Sequence, residues 1–358
     1  MRQRKKVLFI CGSMNQTTQM HSIAKAMIDT AMIDRGDCWF TPYYTDGFVA
    51  RLQERGLIEF TIAGHGHRAR AATYLAEHHL NVDDGGTLHT YDLILTCSDL
   101  VVPKNVRGRK VILVQEGMTD PENFFFYAAK YLGFPRYLAS TSTFGLSHAY
   151  VRMCVASVGY RDHFVKKGVA RETIAVTGIP NFDNCLEFAK TPFDHKDYVL
   201  VATSDARETL KYENRKKFIY HCLDIAAGRT LVFKLHPNEN IERGIREIQK
   251  YAPNAHVYHS CPINHMIAHC DALVTRFSTV VYIGIALGKQ VYSEFDLESL
   301  HRMAPIQNGG TSAQNIADVC FEVLDRHDLL IPVVAKLPAY RTYLHRQRSA
   351  SRTRSTEA

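Results

Sequence analysis

A carboxylate stands at the end of one strongly aliphatic run in the chain. The run ends in Val114-Gln115-Glu116-Gly117, and Asp99 occupies the equivalent position after the preceding run. Open α/β sheets bind ligands at the carboxyl ends of their strands. A carboxylate there suits a general base, or a nucleophile on a sugar carbon. The pattern therefore makes Glu116 the first catalytic candidate and Asp99 the second, against the alternative that Glu116 is a solvated side chain in a surface turn.

A second motif places a histidine in a stiffened turn. The letters Lys234-Leu235-His236-Pro237 close another strand-like run and lead into a helical stretch. Pro237 prevents the strand from continuing, so it holds the imidazole at the sheet edge. His236, or Lys234 beside it, could stabilise a leaving phosphate as negative charge develops. The alternative is a structural histidine without a ligand.

Two hydroxyl side chains follow a third strand. Ser278 and Thr279 come just after the predicted strand 272–275, where the next helix begins. Hydroxyls and unpaired amides at a helix start can hold a phosphate, although Ser278 could equally be a helix cap that needs no ligand. The pattern predicts a phosphate contact at this turn.

A glycine turn follows the first predicted strand. Gly12 and Ser13 separate that strand from a helix, an arrangement that lets an anion approach the backbone. The GxGxxG fingerprint of dinucleotide-binding proteins is absent, which disfavours NAD. Gly12 and Ser13 are thus candidate phosphate-binding residues, unless Gly12 only makes the turn.

Four possible zinc ligands also lie close together in the sequence. Cys261, His265, His269 and Cys270 include two histidines one helical turn apart. The same segment is typical of a short amphipathic helix before a buried strand, in which the cysteines belong to the core. We therefore predict no metal site here or elsewhere.

Short β-rich runs alternate with helical stretches, which is typical of parallel sheets covered by helices. The sequence predicts a first series of strands and then a second that begins afresh near residue 198. In the first series the predicted strands are 6–11, 58–63, 91–96, 110–115, 151–157 and 173–177, with helices over 17–33 and 69–79. In the second the predicted strands are 198–203, 230–235, 256–258, 272–275 and 290–293, with helices over 208–226, 241–251, 264–269, 279–287 and 313–324.

The chain is long enough for two cores. Pro180 and Pro192 mark a polar break among its 358 residues. We expect an N-terminal Rossmann-like domain over 1–188, a C-terminal one over 189–325, and a crossover helix with a basic tail over 326–358.

Taken in order, these pieces resemble the GT-B superfamily of nucleotide-sugar enzymes in two of its branches. The segments 6–13, 157–167 and 176–183 resemble the non-hydrolysing UDP-N-acetylglucosamine 2-epimerases. The Glu116 motif, His236-Pro237 and Ser278-Thr279 resemble the bacterial sialyltransferases, Kdo transferases and CDP-glycerol glycerophosphotransferases. The chain departs more from the epimerases: after Ser278 it lacks their glycine pair and acidic residues. The resemblance implies an α/β fold of two Rossmann-like domains whose parallel sheets face each other across a cleft.

The transferase branch implies a metal-independent glycosyltransferase of bacterial surface polysaccharide or glycolipid synthesis. Its donor would be a nucleotide-activated sugar, preferably of cytidine, bound as a substrate without a further cofactor. Glu116 would be the base or nucleophile, and His236, Ser278 and Thr279 would hold the donor phosphate. The alternatives are a UDP-N-acetylglucosamine 2-epimerase, in which Asp99 and Glu116 move a proton, and a sugar-nucleotide-binding protein without catalysis.

Charge and composition bear on location and partners. The formal net charge is +7, with basic clusters at residues 2–6 and 341–354. The tail could contact nucleic acid, acidic lipid or nothing; we expect a glycan or lipid-linked acceptor, contact of the tail with acidic membrane, and no nucleic-acid partner. Without an export signal or a long apolar run, we expect a cytoplasmic protein, peripheral at the inner face of the membrane.

Overall fold

A computed structural model describes residues 4–59, 61–204, 206–208, 212–326 and 329. Within them the chain forms two compact units, each built on a parallel β-sheet. The first unit holds the described residues up to Val155, then Arg161–Ala175 and those from Ala313 onward. The second holds Ala156–Tyr160 and the described part of Val176–Ser312. The α/β class and the parallel sheets predicted from sequence are confirmed.

The first unit contains a six-stranded sheet in the order β2-β1-β3-β4-β5-β6. Its strands are β1 (Val7–Cys11), β2 (Cys38–Pro42), β3 (Leu93–Thr96), β4 (Val111–Val114), β5 (Arg152–Val155) and β6 (Ile174–Val176). The pairs from β2 to β5 are parallel. The strand order reverses at β1, which has β2 on one side and β3 on the other, so a ligand crevice is expected beyond its carboxyl end.

Helices accompany this sheet along the chain, and several of them contribute buried side chains to its core. They are α1 (Met14–Asp29), α2 (Gly47–Glu54), α3 (His65–Glu77), α4 (Phe124–Leu132), α5 (Val158–Lys167) and, from the far end of the chain, α11 (Ser312–Asp325). Buried side chains of α11, among them Ile316 and Cys320, pack with those of β1 and α1. We expected residues 313–324 in the second domain; they contribute instead to the first core. The predicted crossover helix and basic tail fall almost wholly outside the described residues.

The second unit contains a five-stranded sheet in the order β11-β10-β7-β8-β9. Its strands are β7 (Tyr198–Ala202), β8 (Thr230–Lys234), β9 (His256–Tyr258), β10 (Ala272–Thr275) and β11 (Gln290–Tyr292). Its helices are α6 (Arg215–Ala226), α7 (Ile241–Tyr251), α8 (Ile263–His269), α9 (Val281–Ala286) and α10 (Leu297–Met303). The order reverses at β7, between β8 and β10, so this sheet too has a switch point.

One predicted strand is wrong. The described residues of this segment, 58–59 and 61–63, form turns, with the Thr61 amide bonded to the Ile58 carbonyl at 3.0 Å. The position beside β1 belongs to β2, whose five residues we did not predict as a strand. Ile58 and Ile62 are only half-buried, so the apolar alternation of this segment does not mark a buried strand.

The strands of the second unit are close to their predicted bounds, whereas several helices differ. The predicted helix 208–226 begins at Arg215, and α2, α4 and α5 were not predicted. No helix among the described residues has the length and apolarity needed to cross a bilayer.

Candidate functional site

The carboxylate of Glu116 is held at the carboxyl edge of the first sheet by two neutral donors. Ser13 donates its hydroxyl to Oε1 of Glu116, and Gln16 donates its side-chain amide to Oε2, both at 2.6 Å. Ser13 also caps α1, because its Oγ accepts the backbone N–H of Gln16 at 3.2 Å. One turn of helix therefore orients both oxygens of a carboxylate about a hundred residues away.

Gly12, in the turn after β1, leaves room for that arrangement. A Cβ at position 12 would lie 1.9 Å from Oε1 of Gln16. Any side chain there would displace Gln16 from its bond to Glu116. The Gly12-Ser13 turn thus positions the catalytic candidate, and its predicted contact with phosphate stays a prediction.

Burial makes the charged form of Glu116 costly. Desolvation raises its pKa above the usual range, while the bonds from Ser13 and Gln16 lower it and offset part of that effect. No basic side chain in the described part of the chain forms an ion pair with this carboxylate. Its pKa is therefore raised, which is the direction that favours a carboxylate as a general base or acid.

Asp99 lies on the neighbouring loop and is committed to the backbone. Its carboxylate accepts the amide of Gly145 at 3.1 and 3.2 Å and the amide of Ser147 at 3.0 Å. The residue is buried, so these bonds hold the 145–147 loop against the sheet edge. They give Asp99 a structural role, and its predicted role in catalysis has no support from its contacts.

In the second unit, His236 follows β8 with its ring orientation defined. Its backbone N–H bonds to Oγ1 of Thr203 at 3.0 Å, which ties the turn to the loop after β7. Its ring Nδ1 accepts the N–H of Asn238 at 3.2 Å. A ring that accepts at Nδ1 carries its proton on Nε2 when neutral, so Nε2 is a donor suited to a phosphate oxygen.

Lys234 and Pro237 shape the turn. The ammonium group of Lys234 donates to the carbonyls of Leu235, at 2.7 Å, and His259, at 3.0 Å. Burial lowers its pKa. Pro237 is exposed after the histidine. Lys234 thus anchors the turn through carbonyls, and a direct bond to a ligand stays a prediction.

Ser278 and Thr279 follow β10 on the other side of β7. The helix begins slightly later than predicted, at Val281, and no side chain caps it. Backbone bonds from Val281 to Ser278 and from Tyr282 to Thr279 already form a helical turn. Both side chains are half-buried, and within the described residues their hydroxyls form no hydrogen bond. This disfavours the capping alternative and leaves both hydroxyls able to contact a ligand.

A buried network of charges, which we did not predict from the sequence, connects the three loops of this edge. Glu239 accepts from Thr203 and from Arg215, each at 2.5 Å. Arg215 also pairs with Glu213, which lies 3.6 Å from Arg276 in the loop before Ser278. The side chains of Glu239, Glu213 and Arg215 are 0%, 1% and 4% exposed. Only the clustering of charges after strand ends could have indicated it.

The possible zinc ligands bond to backbone carbonyls. His265 contacts the carbonyl of Phe188 at 3.2 Å, and His269 that of Thr191 at 2.7 Å. Cys270 is buried and donates to the carbonyl of Ile267 at 3.3 Å. Among the described residues, no group of three or more His, Cys, Asp or Glu side chains is arranged to hold a metal ion.

Sequence comparisons identify no relative. No family model matches the chain, and no curated protein matches it.

Solved structures are similar in fold over nearly the whole chain. A UDP-GlcNAc 2-epimerase from Neisseria meningitidis bound to UDP-GlcNAc has a TM-score of 0.57 at 13% identity, over 88% of this chain and 100% of that one. S. aureus MnaA, solved with UDP, has a TM-score of 0.54 at 14% identity, over 97% of both chains. The wall teichoic acid polymerase TagF has a TM-score of 0.49 at 10% identity, over 89% of both chains. The similarity to the first two structures shows that the protein has the GT-B fold of two Rossmann-like domains.

Proposed function

We propose that the protein is a glycosyltransferase that uses a nucleotide-activated sugar, with Glu116 as its general base. The observation that supports this most is the Glu116 carboxylate, which neutral donors orient at a sheet edge and whose pKa burial raises. A base of this kind can take the proton from an acceptor hydroxyl as that oxygen attacks the sugar carbon. The bond from that carbon to the donor phosphate then breaks.

The donor phosphate would bind to the second unit. His236 offers Nε2–H, and Ser278 and Thr279 offer hydroxyls from the loop beyond β10. Neutral donors directed at developing phosphate charge stabilise the leaving group without metal. We propose a metal-independent reaction on this basis.

The finer assignments follow the sequence motifs. The His-Pro and Ser-Thr pairs without a following Glu favour a cytidine nucleotide, such as a CMP-sugar, over a uridine one. The acceptor would be a glycan or a lipid-linked glycan of surface polysaccharide or glycolipid synthesis. Acceptor binding would fall to the first unit, which contains Glu116.

An epimerase acting on UDP-N-acetylglucosamine is the second candidate, because the raised pKa of Glu116 also suits proton transfer at a sugar carbon. That reaction was expected to use Asp99 together with Glu116. Asp99 is occupied by the amides of Gly145 and Ser147. The transferase therefore remains the stronger proposal.

Two measurements test the proposal. A thermal-shift series with CMP, CDP, UDP and GDP reports the base preference, since a ligand at a hundred times its Kd stabilises the folded state by ~2.7 kcal/mol. Chromatography of CMP- and UDP-sugars, incubated with and without a glycan acceptor, reports the reaction. Acceptor-dependent release of CMP supports the transferase. Conversion of UDP-N-acetylglucosamine without an acceptor would establish the epimerase, and binding without either reaction would establish a non-catalytic protein. Stronger stabilisation by UDP would contradict the cytidine preference.

A further inference from the structure

An unusually apolar surface follows the Glu116 loop in the first unit. We call it the aromatic face; it comprises Phe124, Phe125, Tyr127, Tyr131 and Leu132 of α4. Each of these side chains is between 48% and 75% exposed. Scattered exposed apolar residues are ordinary, but a cluster from one short segment marks a surface that binds something.

The segment is firmly held, so its exposure is not fraying. Asn123 caps α4 by accepting the amide of Phe126 at 3.0 Å, and Gly133 ends the helix in the left-handed conformation with φ of 75°. The ring of Phe126 is fully buried beneath the helix, 5.5 Å from the ammonium group of Lys167. The protein thus fixes the helix from below and leaves its outer side apolar.

Helix geometry gathers these side chains on one side of α4. At 100° per residue, Phe124, Phe125, Tyr127, Tyr131 and Leu132 lie within an arc of roughly 160°. Ala128, in the middle of that arc, is only 3% exposed. Its neighbours three and four residues away in both directions are Phe124, Phe125, Tyr131 and Leu132, the spacing at which side chains meet on one side of a helix.

The charge pattern favours an anionic partner with an apolar interior. From Asn123 to Ala139 the chain has Lys130 and Arg136 and no Asp or Glu, and the preceding Glu122 accepts the hydroxyl of Tyr127 at 3.1 Å. The ammonium group of Lys130 lies 5.5 Å from the ring of Tyr131, at the margin of the aromatic face. Helices that lie in a membrane interface typically combine aromatic side chains, including tyrosine, with flanking basic residues. The net charge of +7 has the sign that an anionic leaflet attracts.

We propose that the aromatic face inserts into the surface of an anionic lipid bilayer. Phe124 and Leu132 would enter the acyl boundary, and Lys130 would remain among the headgroups. Membrane binding does not depend on the reaction catalysed. A further step rests on the proposed function: the acceptor would be lipid-anchored and would reach Glu116 from this surface.

The test is co-sedimentation of the full chain with vesicles of equal phosphatidylcholine and phosphatidylglycerol, in 0.5 M salt. High salt suppresses attraction that depends on basic segments alone. The variant Phe124→Ser/Leu132→Ser removes side chains that are 75% and 70% exposed, and the control Phe48→Ser/Leu186→Ser removes side chains that are 65% and 70% exposed elsewhere. We expect the wild type and the control to bind within about twofold of each other, and the aromatic-face variant to bind at least about tenfold more weakly.

Three results would overturn the proposal: no binding by the wild type, equal loss in both variants, or retention in both. Sedimentation velocity without lipid tests the alternative that a second copy of the chain covers the aromatic face. If the wild type dimerises, the aromatic-face variant is monomeric and neither binds vesicles, the surface joins two protein chains instead. Because no donor sugar is present, failure of the transferase proposal leaves these results unaffected.

Discussion

The two candidate regions hold their key side chains by opposite means. Glu116 is held by Ser13 and Gln16, which are neutral. The turn of His236 is held, through Thr203, by a buried network that centres on Glu239 and Arg215.

The difference matches the chemistry proposed for each region. A fixed cation beside Glu116 would lower its pKa and make it a poor base, so neutral donors orient the carboxylate without removing its basicity. A phosphate contact needs constant geometry, which buried ion pairs impose on three loops at once. The first region is suited to changing its protonation, and the second to keeping its shape.

The largest expected effect is that of Glu116→Gln. The amide retains the shape but cannot accept a proton, so turnover should fall by about 10²–10⁴-fold. Nucleotide affinity should hardly change, because the donor contacts lie in the other unit. Turnover assays beside calorimetric titration measure both, with Glu77→Gln, an exposed site, as the control. A variant that keeps more than about a third of wild-type turnover would remove Glu116 from the mechanism.

Arg215→Met should be the most destabilising change in the second region. It leaves Glu213 and Glu239 buried without their common partner, and breaking a buried pair costs about 3–5 kcal/mol. Arg302→Met, whose pair with Glu298 is 64% and 82% exposed, should cost no more than about 1 kcal/mol. Urea unfolding measures both. Equal, small losses would show that the network does not hold the loops.

His236→Ala should weaken nucleotide binding by roughly tenfold, which corresponds to one hydrogen bond of about 1.4 kcal/mol. Turnover should fall as well, because the same bond acts in the transition state. The fold should be retained, since the backbone bond to Thr203 remains. Calorimetric titration is the measurement and His221→Ala, exposed on α6, is the control. Unchanged affinity would make His236 a structural residue.

The smallest effect should be a displaced pH profile in Gln16→Met. The bond from Gln16 lowers the pKa of Glu116, so its loss should raise that pKa further. A general base must be ionised, and therefore activity should be lost at a higher pH than in the wild type as the solution is acidified. The pH dependence of kcat/KM is the measurement, and Met14→Ala on the same helix turn is the control. If the acidic limb of the kcat/KM profile stays in place, or moves to lower pH, the result would contradict the orientation of Glu116 by Gln16.

Much of the architecture could be predicted because it depends on local patterns. Alternating β-rich and helical runs indicate parallel sheets, and the buried strands of the second unit agree closely with their predicted bounds. Glu116, His236 and Ser278 could be picked out because each follows a strand, where such sheets expose their loops. The error at 58–63 arose because alternation alone does not say which segment occupies the place beside β1.

Sequence by itself thus determined the fold class, the strand ends and the residue types gathered there. Only the tertiary structure decided which of two acids is engaged by backbone amides and which by side chains of another helix. Asp99 meets Gly145 and Ser147, and Glu116 meets Ser13 and Gln16, across separations of 46 to 103 residues. The periodicity of a sequence carries information only about residues that are near each other along the chain. The pKa and the orientation of a carboxylate depend on the distant groups that the fold brings into contact with it and on how much water those groups exclude.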